Sequence, residues 1–390
     1  MTTSSSPAAD VQVVAIEQSV AGPLCSRILA DLGADVIKVE PPRGDFARHW
    51  DTHANGEASH FAWLNRRKRS IALDLGEPRD LGVLHKLLAA ADVLVFNMSL
   101  RAAQRLDLTG ERLEAAYPRL VACQITGYGN RGEMCDRKAY DMLVQAETGL
   151  MSLTGDESGP VRIGVSVADV GTGIYAAALV LAALLEREHT GRGKFIDISM
   201  FETMLEFAGP NLIAFANAGV RYPRSRMRHH SISPYGIFET ADGQIALAVE
   251  HDDEWRRLCR LVLNRPDLDI ERYSTNERRH AHRDELETAV ESELRRRSRS
   301  EWLELLDRAG LAFASVNEID QVWEHPVVRD LGLKRQVALP NGQLAWVPTS
   351  PAERAFERTD GEPPVPALDA DRDALLTTKG ANQARSASGL

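Results

Sequence analysis

The residues with the most chemical promise in this chain are carboxylates and cations set at a few junctions, and Asp169 stands out among them. It lies in VSVADVGTGIYAAALVLAALLERE (165–188), between a β-like run, Val165–Ala168, and an apolar stretch, Ile174–Leu185, that has the length and Ala/Leu content of a buried helix. A carboxylate just ahead of such a helix meets free backbone N–H groups and the positive end of the helix dipole. That setting keeps it ionised at neutral pH, as a carboxylate nucleophile requires. Asp is also a preferred N-cap, and capping is the plainer account of the position taken alone.

Other groups could join it. Tyr140 and Asp141 open a predicted helix in KAYD (138–141), either as a packing aromatic and a first-turn acid or as a hydroxyl for a reacting acyl group and its support. NRRKRS (65–70) places four cations in a row ahead of a strand. Such a run is either a solvated charged face or a phosphate site, since Arg forks hold phosphate oxygens bidentately. Arg101 and Arg105 could reach the same sheet edge. In RYPRSRMRHHSISPY (221–235), Arg226, Arg228, His229 and His230 are exposed loop residues or together a seat for a substrate carboxylate.

Several classes are disfavoured. The turn Gln18–Pro23 stands where a dinucleotide fold carries GxGxxG, and Glu40 where a ribose-binding acid would sit, but Gly22 is the lone glycine of that turn. A nicotinamide cofactor is therefore not expected. GxSxG, HExxH and Walker A patterns are missing. Cys25, Cys123, Cys135 and Cys259 form no CxxC pair, which predicts free thiols in a reducing cytoplasm and no metal site.

The elements that must position these groups alternate. Strands are predicted at Val11–Ile16, Asp35–Val39, Ser70–Leu75, Val93–Asn97, Leu120–Thr126 and Phe195–Met200, with helices at Pro23–Leu32, Leu81–Ala90 and from Tyr140. Strand–helix–strand alternation predicts an α/β fold with a parallel sheet. Two hairpins follow, YGIFETADGQIALAV turning at Ala-Asp-Gly and KRQVALPNGQLAWV turning at Asn341–Gly342, with a charged helical segment, 252–309, between them. The predicted organisation is a disordered N-terminus (1–10), a large α/β domain (11–224), a small α+β domain (225–325), a return to the large domain (326–376) and a disordered tail (377–390). The chain has 390 residues, 44% apolar and 26% charged, as soluble globular proteins do, and its net charge of −10 disfavours nucleic acid. The longest apolar run, 12 residues, is too short to cross a bilayer, and the N-terminus reads as no secretory signal.

Taken in order, AGPLCSRILADLGADVIKVEPPRGD (21–45), NRRKRSIALDL (65–75), ADVLVFN (91–97), ITGYG (125–129), KAYDMLVQAETG (138–149), ADVGTG (168–173) and GRGKFIDISM (191–200) resemble class III CoA-transferases. These are the formyl-CoA transferase-like proteins of the CaiB/BaiF type, which also include α-methylacyl-CoA racemases. The resemblance implies a Rossmann-like CoA-binding large domain, a smaller α+β domain and an interlocked homodimer, with no permanently bound cofactor. It implies that Asp169 is the nucleophile, and that CoA contacts fall on Gln18, Ser19, Ala21, Leu64, Arg67, Lys68, Asn97, Met98, Arg105, Lys138 and Met200, the assignment among Arg66–Arg69 remaining open.

Three departures shape the expected reaction. Val20 stands where formyl-CoA transferases have Gln, which argues against formyl or oxalyl substrates. HHSISPYG replaces their glycine-rich loop and resembles members acting on small dicarboxylates. Tyr140 stands where racemases have His, which argues against racemisation because that reaction needs a second acid/base. The expected partners are therefore an acyl-CoA, such as succinyl-CoA, and a small carboxylate such as itaconate, mesaconate, citramalate or malate. A racemase or a non-catalytic CoA-binding protein is the alternative.

Overall fold

The structure, a computed structural model, describes residues 6–357 and 361–377. The tail from 378 and residues 1–5, both read from sequence as disordered, lie outside that range. Residues 6–10 are not disordered: they form a turn whose Ala8 donates its N–H to Leu32 O at 3.0 Å and is only 4% exposed. A small apolar side chain inside the core outweighs the polar residues around it.

Two compact units are present. The first comprises residues 6–150, 162–212, 326–357 and 361–377; the second comprises 151–161 and 213–325. The first is built on a parallel six-stranded sheet of β1 (Gln12–Ile16), β2 (Asp35–Glu40), β3 (Lys68–Ala72), β4 (Val93–Phe96), β5 (Val121–Thr126) and β6 (Phe195–Ser199), in the order 3-2-1-4-5-6. The central strands are short continuous apolar runs, as strands buried on both faces must be. Val13 and Ala15 turn to one face, where they pack with Cys25 and Leu29 of helix α1 (Ala21–Asp31) and with a long helix that carries Ala176, Ala177 and Val180. Val14 and Ile37 turn to the other face, against Leu84 and Leu88.

Besides α1, three helices bear on the site: α2 (Asp141–Glu147), α3 (Val167–Thr190) and α4 (Met200–Phe207). The long helix is α3, and it begins earlier than its sequence predicts. Val165–Ala168 is not a strand; the helix starts at Val167, so Asp169 lies inside its first turn rather than ahead of it. Ser166, at the cap position, makes no side-chain cap bond. The capping acceptor comes from elsewhere, since Asp141 Oδ1 accepts the Ala168 N–H at 2.8 Å. Helix α3 also extends well past its apolar run. It alone among the described residues is long and apolar enough to cross a membrane, yet here 44% of its most apolar window is buried within the protein.

The outer edge of β3 is closed by the end of the chain. Arg67 N–H donates to Pro364 O at 2.8 Å, and Ser70 N–H and Ala72 N–H donate to Asp371 and Asp369 at 2.9 and 2.8 Å. An antiparallel pair, Lys334–Ala338 with Leu344–Pro348, precedes this segment and turns through Asn341–Gly342. The second unit has a three-stranded antiparallel sheet, with Tyr235–Glu239 and Gln244–Ala248 forming the predicted hairpin and Ala312–Ser315 added at its edge. Trp255, Leu286, Trp302 and Leu306 fill its core.

Candidate active site

In open α/β sheets, ligands bind outside the carboxyl ends of the strands where the strand order reverses. Here that point lies between β1 and β4. A cleft of about 460 Å³ opens there, lined by residues that follow β1 (Gln18, Ser19, Ala21), β4 (Asn97, Met98), β5 (Gly127) and β6 (Met200), together with Lys138, Tyr140 and Asp169. The structure thus gathers seven of the expected contact positions around the expected nucleophile. Gln18 and Asn97 are locked to each other: Gln18 N–H donates to Asn97 Oδ1 at 3.0 Å and Asn97 Nδ2 donates to Gln18 O at 2.8 Å.

Asp169 is held from across the cleft floor. The Ala21 N–H, at the start of α1, donates to its carboxylate. Close approach of α1 and α3 makes this possible, because a Cβ on Gly173 would sit 2.8 Å from Ala21 O. Its place in the sequence implies full ionisation at neutral pH, and the structure corrects this: the carboxylate is only partly ionised there. Burial, and then the negative charge of Asp141, push its pKa up to about 7, and the Ala21 N–H only partly counters them. Asp141 is 7% exposed and accepts from Ala168 N–H and from Gln145 Nε2 at 2.6 Å, with Arg162 at 4.0 Å. Asp141 thus caps α3 from another helix and is the like group beside Asp169 that opposes its ionisation. Tyr140 is 62% exposed at the cleft mouth. Gly127 lets the 137–140 segment lie close against the end of β5, since a Cβ there would come within 2.1 Å of Ala139 Cβ.

Four expected contact residues are not in the cleft. Leu64 is fully buried behind the turn, packed on Val20 and Leu24. Lys68 is buried and donates to Glu17 at 2.7 Å, Pro23 O at 2.9 Å and Asn65 at 3.0 Å; burial lowers its pKa to about 8 despite the adjoining Glu17. Arg67 bonds Glu353 at 3.2 Å. Arg105 is exposed at the end of the helix Leu100–Arg105. Arg66 is buried between Asp31 and Glu353, and Arg69 bonds Asp35 at 2.9 Å. The cationic run is therefore neither a solvated face nor a phosphate cradle: its charges are spent on carboxylates of the same unit.

The sequence of residues 9–372 matches the profile of CoA-transferase family III. The chain belongs to this family. Succinate–glutarate CoA-transferase of Agrobacterium fabrum is 33% identical over 87% of this chain and 87% of its own length. Succinyl-CoA:mesaconate CoA-transferase of Haloarcula hispanica is 31% identical over 95% of this chain and 96% of its own. A crystal structure of a CaiB/BaiF family protein from Brucella suis superposes with a TM-score of 0.79 at 30% identity, covering 95% of this chain and 98% of that one. This family III member is accordingly a transferase that moves CoA to a carboxylate.

Sequence reasoning overlooked a second cleft of this CoA-transferase, about 310 Å³, which shares Gln18, Asn97 and Met98 with the first. Val39–Pro42 and Leu73–Gly76, which follow β2 and β3, complete it. The same strand-end rule that locates the first cleft would have found it. Glu40 borders it but is no ribose acceptor. Against the pull of burial, Arg48 (2.7 and 2.8 Å), the charge of Lys38 and the Ser70 hydroxyl hold its pKa down to about 2.

The remaining expected substrate residues belong to the second unit, where they already have partners. Arg226 bonds Asp156 at 2.8 Å, and Arg228 pairs with Asp284 and Glu287 at 2.9 and 2.8 Å. His229 stacks between His230 and Tyr235, and burial with the neighbouring positive groups lowers its pKa. His230 also meets Tyr222, with ring centres 4.4 Å apart. Among the described residues no three His, Cys, Asp or Glu groups gather as metal ligands.

Proposed function

We propose that this protein transfers CoA from succinyl-CoA, or a related dicarboxylyl-CoA, to a C4–C5 dicarboxylate. The acceptor class includes itaconate, mesaconate, citramalate, malate and, by likeness to the A. fabrum relative, glutarate. The observation that carries the reading is the Asp169 carboxylate, opening on a strand-end cleft with the Ala21 N–H in contact with it. Its anion attacks the thioester carbonyl and expels CoA thiolate, leaving a mixed anhydride. The thiolate attacks the Asp169 carbonyl of that anhydride, giving an aspartyl-CoA thioester and the free donor acid. An acceptor carboxylate runs the steps in reverse. Each aspartyl derivative stays activated, so the thioester's free energy is retained provided water is kept out.

CoA lies along the joined clefts in this reading, its nucleotide over the ends of β2 and β3 in Rossmann-like fashion and its thioester beside Asp169 and Tyr140. Lys138 borders the same cleft and supplies a cation for the phosphates. Tyr140 offers a phenol and no imidazole, which favours acyl exchange over racemisation. The working form is an interlocked homodimer. Helix α3 supports it by presenting Ile174, Tyr175, Leu179 and Leu185, each at least 40% exposed, on its solvent side; a second copy would cover that apolar face.

Mass spectrometry after mixing with succinyl-CoA tests the mechanism. CoA mass on the peptide containing Asp169, removed by hydroxylamine and missing from Asp169→Ala, is the expected result. Acyl exchange that proceeds with the label on another residue, or that survives in Asp169→Ala, would refute it.

A further inference from the structure

The PPRGD motif (41–45) has no role in the steps above, yet its last residue reaches the active-site turn. Asp45 is 1% exposed. Its Oδ1 accepts the Ala47 N–H at 2.9 Å and the Ser19 N–H at 3.3 Å, and its Oδ2 accepts from Lys38 Nζ at 3.0 Å. Lys38 in turn donates to Glu17 O at 3.2 Å. Capping the short 3-10 turn Phe46–His49 accounts for the Ala47 bond alone. The other two bonds converge on Glu17–Ser19. Ser19 has φ +67°, a left-handed conformation uncommon outside glycine. Such a conformation persists where the surroundings over-determine it. Here they do: Asp45 grips Ser19 from one side and Asn97 grips Gln18 from the other. The turn then delivers the Ala21 N–H to Asp169.

We propose that Asp45 is a positioning residue for CoA transfer, fixing the Gln18–Ala21 turn so that the Ala21 N–H meets Asp169. The proposal rests on the function argued above. Asp45 touches none of the reacting atoms; it acts through Ser19.

Two variants separate this role from simple neutralisation of Lys38. Asp45→Glu keeps a negative charge beside Lys38 but moves the acceptor oxygens off Ser19 by a methylene. Asp45→Asn keeps the acceptor for the Ser19 and Ala47 N–H groups and loses the charge together with the acceptor for Lys38. Positioning predicts that the Asn variant keeps kcat/KM within about threefold per folded molecule, while the Glu variant loses about 10- to 100-fold, the scale of an ångström-sized misplacement. The acid limb of its pH–rate profile also moves to higher pH, since the anion of Asp169 loses its N–H donor while Asp141, with Arg162 beside it, and the cleft residues Tyr140 and Lys138 stay in place. A Glu variant with parental kcat/KM and acid limb, or an Asn variant that loses as much as the Glu variant, overturns the proposal. Amide hydrogen exchange at residues 18–21 provides a reading free of turnover: it accelerates about tenfold or more in the Glu variant and is unchanged if the proposal is wrong. If the Asn variant does not fold, the acid limb and amide exchange of the Glu variant decide. If the parent shows no CoA exchange, the proposed function fails, and amide exchange still decides the role of Asp45.

Discussion

Consider Asp169→Asn, a change of one atom that leaves an oxygen to accept the Ala21 N–H. In the unfolded chain the carboxyl titrates at the ordinary 3.8; in the folded protein burial and Asp141 raise it to about 7. Folding therefore favours the protonated form. The stability this confers is fully present below about pH 4 and is lost as pH rises through about 7. The gap from 3.8 to about 7 corresponds to roughly 4 kcal/mol at 1.36 kcal/mol per decade, of which about 2–3 kcal/mol is lost between pH 5 and pH 8. Asn has no proton to lose. The advantage of Asp169→Asn over the parent in urea unfolding should thus grow by about 2–3 kcal/mol from pH 5 to pH 8, while CoA transfer is abolished. An advantage that is equal at the two pH values, or absent at pH 8, would show that the carboxylate is not desolvated beside a like charge, and the account of its acidity would fall.

Three further outcomes follow from the same geometry. Asp141→Asn removes the like charge but keeps an acceptor for the Ala168 N–H, so the acid limb of kcat/KM should move to lower pH; Asp141→Ala should in addition cost about 1 kcal/mol in thermal unfolding as the α3 cap is lost. Lys68→Met leaves buried Glu17 with Lys38 at 3.7 Å and the Ser26 hydroxyl as its partners and should cost roughly 1–3 kcal/mol in stability, with little change in acyl-CoA KM for the folded fraction; a stable variant with a large KM increase would return Lys68 to the ligand. Leu179→Arg together with Leu185→Glu should give a monomer by light scattering at micromolar protein, whereas an unchanged dimer would place the interface elsewhere.

The strands, the two hairpins and the turn that follows β1 are legible in the sequence because their causes are local. Buried parallel strands read as apolar runs, and Asn341–Gly342 supplies its own turn. What could not be read depends on distant partners. The start of α3 is set by Asp141, 27 residues before the amide it caps. NRRKRS looks like a cationic surface until Glu353 is seen against Arg66 from 287 residues away. The acidity of Asp169 follows from burial and a neighbouring charge, so a helix-dipole argument from local sequence points the wrong way. The cleft beyond β2 and β3 went unseen because the segments that complete it, Val39–Pro42 and Leu73–Gly76, lie 30 residues apart in sequence and form no motif, and its acid Glu40 is held by Arg48 and Ser70.

The closure of β3 by residues 364–371 has a consequence for biosynthesis. A nascent chain released up to residue 325 has every strand of the six-stranded sheet but leaves the Ser70 and Ala72 amides, and the guanidinium of Arg66, without their acceptors on Asp371, Asp369 and Glu353. The sheet of such a chain therefore has one margin open until residues 364–371 follow. Premature termination anywhere before Asp371 should yield a chain that is degraded rather than a shorter enzyme.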